Sequence, residues 1–102
     1  MNKIERAKQL YESILKENPK FASAYCNLGY CFFISKNYVQ AEELYKMSLK
    51  LDPDYEQALL NTAQLYLVKN DKKKAIDLLK RILKHNPSNT QAKQALERLQ
   101  RS

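Results

Sequence analysis

The sequence contains very little glycine, proline or cysteine. Its 102 residues include one glycine, three prolines and two cysteines. A single glycine cannot form the GxGxxG or GxxxxGK loops that hold nucleotide phosphates, so nucleotide-binding enzymes built on those loops are excluded. So little turn-forming material argues against a fold of many strands, and the frequent alanine, leucine, lysine, glutamate and glutamine favour helices. We therefore expect an all-α chain.

Signals for membranes and secretion are also missing. No apolar stretch approaches the roughly 18 to 20 residues that a membrane span requires. Residues 1–6 lack the apolar segment of a secretory signal, and no asparagine lies in a glycosylation sequon. We expect a soluble, cytoplasmic protein with no membrane span. Cys26 and Cys31 would lie about 140° apart around a helix, so we expect two reduced thiols rather than a disulfide.

Catalytic and metal-binding residues are sparse. His85 is the one histidine, and no nucleophile lies in register with it, so a catalytic triad is not expected. The spacing of Cys26, Cys31 and His85 does not match the short ligand spacings of zinc sites. We predict a protein that is not an enzyme and has no cofactor and no metal.

The net charge is +7, and the excess of basic residues lies in the second half of the chain. Such a balance favours acidic partners without identifying one. The basic run at residues 69–74 could contact phosphates or an anionic surface. It is predicted to lie at a turn and on an outer helix, where solubilising lysines are common, so binding of nucleic acid is the less favoured alternative.

Residues recur at an interval of 34, which is the interval between Pro19, Pro53 and Pro87. Apolar residues within each period are spaced by three and four, as in a pair of helices joined by a turn. We predict six helices near residues 3–17, 21–34, 38–50, 55–68, 72–84 and 89–100. The same interval relates Ala7, Ala41 and Ala75; Tyr11, Tyr45 and Leu79; Leu15, Leu49 and Leu83; Asn27 and Asn61; and Gly29 and Ala63.

The residues between the predicted helices fit turns. Proline disfavours helical backbone in the residue before it, so helices should end near Asn18, Asp52 and Asn86. Asn37, Asp54 and Ser88 each stand three residues before a glutamine, the spacing of a helix N-terminal capping box, and Asp71 can cap a helix without the box. Small residues such as Gly29 and Ala41 allow paired helices to approach closely.

The sequence resembles the tetratricopeptide repeat family, whose period is 34 residues. Residues 22–55 read ASAYCNLGYCFFISKNYVQAEELYKMSLKLDPDY, with aromatic, Leu-Gly, alanine, tyrosine and proline positions typical of the family. Residues 56–89 match with departures at Thr62, Ala63, Leu79 and Ile82. Residues 3–18 match only the second helix of a repeat, and residues 89–102 match the added capping helix. The resemblance implies a single domain over residues 1–102, an α-solenoid of antiparallel helix pairs with a right-handed superhelical sense.

The resemblance also implies a function in binding proteins. First helices of such repeats line a concave groove, which we expect to hold a short peptide segment of a partner, apolar at its centre and acidic toward Arg98 and Arg101. Asn27 and Asn61 could pair with the peptide backbone or instead tie adjacent helices together. Members that bind chaperone tails carry lysine and asparagine where this chain has Cys26 and Tyr30, so that ligand is not expected. The predicted groove residues are Cys26, Asn27, Tyr30, Phe33, Ile34, Leu60, Asn61, Gln64, Leu67, Val68, Gln94, Arg98 and Arg101.

The first predicted helix has an apolar face that a preceding helix would cover. Solenoids usually end in polar caps, and the C-terminal helix is polar in this way whereas the first helix is not. We therefore expect the chain to be a piece of a longer protein. The alternative function is structural, a module that forms a homo-oligomer through the first helix. The predicted self-association face consists of Ile4, Ala7, Tyr11 and Ile14.

Overall fold

Six α-helices and no strands make up residues 2–101, the part of the chain that the computed structural model describes. The all-α prediction is confirmed, and every predicted helix boundary lies within one residue of the observed one. The predicted domain limits, residues 1 and 102, lie outside the described residues. The helices are α1 (Lys3–Glu17), α2 (Ala22–Ile34), α3 (Tyr38–Leu51), α4 (Glu56–Val68), α5 (Lys72–His85) and α6 (Thr90–Arg101).

Proline ends α1, α3 and α5 in the same way. The residue before each proline has φ between −138° and −141° and ψ between 83° and 88°, which is outside the helical region. This is the backbone that a following proline enforces, so the predicted ends are confirmed. The backbone N–H of each of these residues donates to the carbonyl four residues earlier, at 2.8 to 2.9 Å, in the pairs Asn18 with Ile14, Asp52 with Ser48 and Asn86 with Ile82.

A different turn ends α2, and α4 repeats it. Lys36 has φ of 65° and its N–H donates to the Phe33 carbonyl at 3.0 Å. The Asn37 N–H donates to the Phe32 carbonyl at 2.9 Å. This pair of bonds is the Schellman arrangement that closes a helix with one left-handed residue. In the equivalent turn after α4, the φ of Asn70 is 62° and the same two Schellman hydrogen bonds form.

The last residue of each such turn also starts the next helix. Asn37 Oδ1 accepts the Gln40 N–H at 3.4 Å, and Asp71 Oδ1 accepts the Lys74 N–H at 3.2 Å. Both predicted caps are therefore confirmed, because each short polar side chain accepts from a backbone N–H that has no partner within the helix.

The predicted cap of α6 is wrong. Asn89 Oδ1, not Ser88, accepts the Ala92 N–H, at 2.9 Å. The Ser88 hydroxyl instead donates to Asn86 Oδ1 at 2.9 Å. Because α6 begins at Thr90, the residue directly before the helix is Asn89, and its side chain reaches the free N–H groups of the first turn.

The described part of the chain forms two compact units, which are divided between Ala58 and Leu59. In the first unit α2 packs antiparallel on α3. A Cβ on Gly29 would lie 2.7 Å from Tyr45 Cε1, so the two helices are in contact at this point and the predicted close approach is confirmed. Near the other end of the pair, the Ser48 hydroxyl donates to the Ala22 carbonyl at 2.8 Å.

In the second unit α6 packs on α5. The buried residues of α5 are Ala75, Leu79 and Ile82, at the positions that Ala41, Tyr45 and Ser48 occupy one repeat earlier. Ala92 of α6 is buried as well. The 34-residue period therefore repeats the burial pattern as well as the sequence. None of the helices that the structure describes is both long enough and apolar enough to cross a membrane.

Candidate functional site

A groove of about 260 Å³ lies between α1 and α2 in the first unit. We call it the α1/α2 groove. Most of its lining is apolar, and it is open to solvent. It is lined by Lys3, Ile4, Ala7 and Tyr11 from α1 and by Asn27, Tyr30, Cys31 and Ile34 from α2.

The α1 wall of the groove is an apolar helix face that is only partly covered. Ala41, Tyr45 and Ser48 of α3 are 0% exposed, because α2 lies over them. The residues one repeat earlier are Ala7, Tyr11 and Ile14, and each of them is only half-buried. No residue of α1 is fully buried. Since leaving apolar surface in water costs roughly 25 cal/mol per Å², this face favours association with another apolar surface.

The α2 wall of the groove carries two exposed apolar side chains. Tyr30 is 44% exposed and Ile34 is 45% exposed. The Tyr30 ring stacks on Phe33 with centroids 6.2 Å apart, and Phe33 contacts Tyr38 with centroids 5.6 Å apart. Such aromatic pairs contribute about 0.5 to 1.5 kcal/mol beyond burial, so Tyr30 is held at the groove by its neighbours.

Charge at the groove is basic. Lys3 carries the charge among the described residues that line it. The Lys8 ammonium lies 4.5 Å from the centroid of the Phe32 ring and 3.4 Å from a Glu5 carboxylate oxygen. The Lys8 ammonium is therefore already engaged by Phe32 and Glu5, whereas Lys3 lines the groove itself.

Cys31 and Tyr45 are buried ionisable groups of this unit whose pKa values are shifted. Burial raises the pKa of the Cys31 thiol above its ordinary value, although the nearby Lys8 ammonium acts in the opposite direction. Burial also raises the pKa of Tyr45. The Tyr45 hydroxyl finds no hydrogen-bond partner among residues 2–101. Both groups are therefore neutral near pH 7, and Cys31, the one of the two that lines the groove, adds no negative charge to it.

The structure brings together two sets of residues that the sequence predicted as separate sites. The sequence predicts self-association for Ile4, Ala7 and Tyr11 and peptide binding for Tyr30 and Ile34, yet all five residues line the α1/α2 groove. The sequence prediction missed Lys3 and Cys31. Lys3 stands four residues before Ala7, and Cys31 four residues after Asn27, so helical spacing alone would have placed both on the groove-lining faces.

Three predicted groove residues are not available at the surface. Cys26 is 0% exposed, Leu60 is 9% exposed and Asn61 is 5% exposed. The prediction rests on the position of each residue within its 34-residue repeat. That position indicates the helix face on which a side chain lies, but not how closely neighbouring residues bury it. Phe33 and Leu67 are half-buried, and the exposed members of the predicted set are Asn27, Tyr30, Ile34, Gln64, Val68, Gln94, Arg98 and Arg101. A longer concave groove that includes the residues of α4 and α6 stays a prediction.

Metal ligands do not gather in the described part of the chain: no group of three His, Cys, Asp or Glu side chains is placed to hold an ion there. Both cysteines are buried thiols.

Two family models, both described as tetratricopeptide repeat, match the sequence, one over residues 32–99 and the other over residues 1–56. No curated protein matches it significantly. A solved structure described as the first tetratricopeptide repeat domain of Spaghetti (RPAP3) bound to the HSP90 peptide SRMEEVD is similar, with a TM-score of 0.88 and 19% identity. That match covers 97% of this chain and 79% of that chain.

MamA is a second similar structure, with a TM-score of 0.84 and 19% identity over 94% of this chain. The match covers 56% of the MamA chain, so this chain spans little more than half of that protein. At such identities both likenesses concern the fold.

Proposed function

Because the chain belongs to the tetratricopeptide repeat family, we propose that it is a protein-interaction module that holds a short segment of a partner protein in the α1/α2 groove. One observation carries the proposal: the apolar face of α1 is open at Ala7 and Tyr11, whereas the equivalent face of α3 is fully buried. Clustered exposed apolar surface usually marks an interaction site. The proposal includes no enzymatic activity.

The ligand class also has support from a similar structure. The Spaghetti domain is described as bound to a short peptide of HSP90. The same peptide, SRMEEVD, is not the ligand proposed for this chain. Cys26 and Tyr30 stand where chaperone-tail binders are expected to have lysine and asparagine, and Cys26 is buried. An apolar segment fits the α1/α2 groove better than a strongly acidic tail.

The test is selection of binding peptides without any assumption about their conformation. A displayed library of random peptides is selected on the 102-residue protein, and enriched peptides are measured by fluorescence anisotropy. Ile34→Lys should weaken binding at least about tenfold, since a charge then stands in the apolar wall. The matched control is Val39→Lys, because Val39 is an apolar residue of α3 that is 70% exposed and does not line the groove. Equal binding to both variants would place the ligand on another surface.

Self-association through α1 is the second candidate, favoured by the half-buried Ile4, Ala7, Tyr11 and Ile14. Light scattering across a dilution series distinguishes it from partner binding. A dimer that dissociates on dilution and is lost in a variant with Ile4→Lys and Tyr11→Ser, with helical content retained, would support self-association. A monomer at every concentration would leave partner binding as the function.

A further inference from the structure

We infer that one side of α5 binds the phosphate backbone of a nucleic-acid duplex without regard to base sequence. This side, which we call the α5 outer face, lies opposite the buried Ala75, Leu79 and Ile82. It belongs to the second unit, so the inference is independent of the α1/α2 groove. Its charged residues are all exposed and lie within about 120° around the helix axis. They are Lys73, Lys74, Asp77, Lys80, Arg81 and Lys84.

Most of the net charge of the protein is concentrated in α5. With His85 neutral, this helix has six basic residues and one acidic residue, a net charge of +5, whereas the whole chain carries +7. The equivalent helices of the other repeats are nearly neutral, since α1 carries +1 and α3 carries 0. General solubility would not concentrate the charge in one of three equivalent helices. The repeat fold does not require it either.

Three lysines of the α5 outer face are available to a ligand. The side chains of Lys73, Lys80 and Lys84 are exposed and form no ion pair or hydrogen bond with the residues that the structure describes. By contrast, the Lys74 ammonium already lies 3.8 Å from an Asp71 carboxylate oxygen. The three lysines can therefore each contact an anion without breaking an existing contact.

The dimensions of the α5 outer face suit a duplex backbone. Residues 73–84 span about 16 Å along the helix, at a rise of about 1.5 Å per residue. A DNA duplex carries one phosphate charge per about 1.7 Å of its length, so roughly ten phosphates lie within that distance. The lysine ammonium is a compact charge that binds phosphate without a fixed geometry. Such contacts give affinity but no base specificity.

Other anionic partners fit this face less well. Every exposed residue of α5 is charged or is a histidine, and none is apolar. Protein interfaces are depleted in lysine and depend on apolar or aromatic anchors. Single-stranded nucleic acid is held by stacking on aromatic side chains, and stable membrane attachment takes a second signal besides a basic patch. A duplex backbone can be bound through charge alone.

The probe is a fluorescent DNA duplex of about 20 base pairs, and its binding to the 102-residue protein is measured by fluorescence anisotropy. The α5 outer face has five basic residues and one aspartate, so it should neutralise about four phosphates. The logarithm of the affinity should then fall with the logarithm of the salt concentration with a slope of about −3.6. A second duplex of unrelated sequence should bind within about twofold of the first.

Two triple variants with the same net charge locate the contact. The test variant replaces the three available lysines, Lys73→Gln, Lys80→Gln and Lys84→Gln. The matched control replaces three exposed lysines outside α5, Lys16→Gln, Lys20→Gln and Lys50→Gln. In about 50 mM salt the test variant should bind at least about tenfold more weakly, with a slope shallower by about 2.7. The control should change affinity less than about threefold. Circular dichroism should show the same helical content for both.

A single substitution tests the face in the opposite direction. Asp77 is the acidic residue of the α5 outer face, and it repels a phosphate backbone. Asp77→Asn should therefore strengthen duplex binding by about two- to fivefold in about 50 mM salt, and the gain should shrink as salt screens the charge. Unchanged or weaker binding would contradict the inference.

Three further results would overturn it. Equal losses in the two triple variants would mean that the net charge of the protein, and not the α5 outer face, attracts the duplex. Equal affinity for poly-glutamate would show that any polyanion is bound. Binding to vesicles of one-third phosphatidylserine, without binding to the duplex, would assign the face to a membrane. Loss of peptide binding to the α1/α2 groove has no bearing on these measurements, so the two proposals fail separately.

Discussion

The contact between Gly29 and Tyr45 sets how closely α2 and α3 can pack. Tyr45 is 0% exposed, so its ring has little room to move away from a side chain added at Gly29. In the next repeat the equivalent pair is Ala63 and Leu79, and both residues are buried. Ala63 is larger than Gly29, and its partner Leu79 is smaller than Tyr45, so the two changes in size compensate.

Gly29→Ala is expected to destabilise the protein by about 1 to 2 kcal/mol, since overpacking costs more than the helix propensity of alanine restores. When Tyr45→Leu is added, the pair becomes that of the next repeat, and the double variant should lose less stability than the two single changes together. Urea unfolding of the four proteins measures a coupling free energy of about 1 kcal/mol or more. Additive losses would mean that the two residues do not constrain each other.

Tyr45→Phe is expected to leave stability at pH 7 unchanged or raise it. The Tyr45 hydroxyl is buried without a hydrogen-bond partner among the described residues, so its removal abolishes a desolvation penalty. The difference should grow in alkali. Burial raises the pKa of Tyr45, so above about pH 10 the unfolded chain releases this proton while the folded chain keeps it.

Stability of the wild-type protein therefore falls through this group by up to about 1.4 kcal/mol per pH unit above pH 10, and Tyr45→Phe removes that contribution. Urea unfolding at pH 7, 10 and 11 measures the effect. Tyr30→Phe, at a tyrosine that is 44% exposed, is the control and should follow the wild-type profile. Parallel profiles for all three proteins would show that Tyr45 does not titrate differently on unfolding.

At the scale of helices, the sequence predicted the number of helices and the positions of their ends. The 34-residue period and the three prolines located each helix to within one residue, because proline and left-handed turn residues end helices through local backbone sterics. The cap of α6 was the exception. Ser88 and Asn89 are adjacent and both are good caps, so local chemistry alone did not choose between them.

That choice gives a prediction for α6. Asn89→Ala should destabilise the second unit by about 1 kcal/mol, because the Ala92 N–H loses the acceptor now at 2.9 Å. Ser88→Ala should change stability by less than about 0.5 kcal/mol, since the exposed Ser88 hydroxyl donates to a neighbouring side chain, Asn86, and caps no helix. Thermal unfolding followed by circular dichroism compares the two. A larger loss of stability from Ser88→Ala than from Asn89→Ala would show that Ser88 caps α6.

At the scale of the whole molecule, charge repulsion is the effect that salt should reveal. The net charge is +7, and the ion pairs Glu5 with Lys8, Glu42 with Lys46 and Asp71 with Lys74 are local pairs at the surface, which contribute little. Raising sodium chloride from about 20 mM to about 300 mM should therefore raise Tm by a few degrees, because screening relieves the repulsion. A variant with Lys20→Glu and Lys80→Glu should respond less. A fall in Tm would mean that the ion pairs outweigh the repulsion.

The candidate site was predicted only in part. Helical spacing placed Ile4, Ala7 and Tyr11 on one face and Tyr30 and Ile34 on another, but the meeting of these faces depends on how α1 packs on α2. The burial of Cys26 and Asn61 could not be predicted from their positions within the repeat, because burial depends on neighbouring side chains. The right-handed sense and the single-domain organisation stay predictions from the family resemblance.

Asn37 and Asp71 each belong to two helices at once, as the last residue of a Schellman turn and as the cap of the following helix. Insertion or deletion of one residue at either turn would break the closing bonds of one helix and remove the cap of the next. Natural selection should therefore remove insertions and deletions of one residue at these two turns. A gene of this kind lengthens most safely by duplication of a complete 34-codon segment, which brings its own turn residues with it.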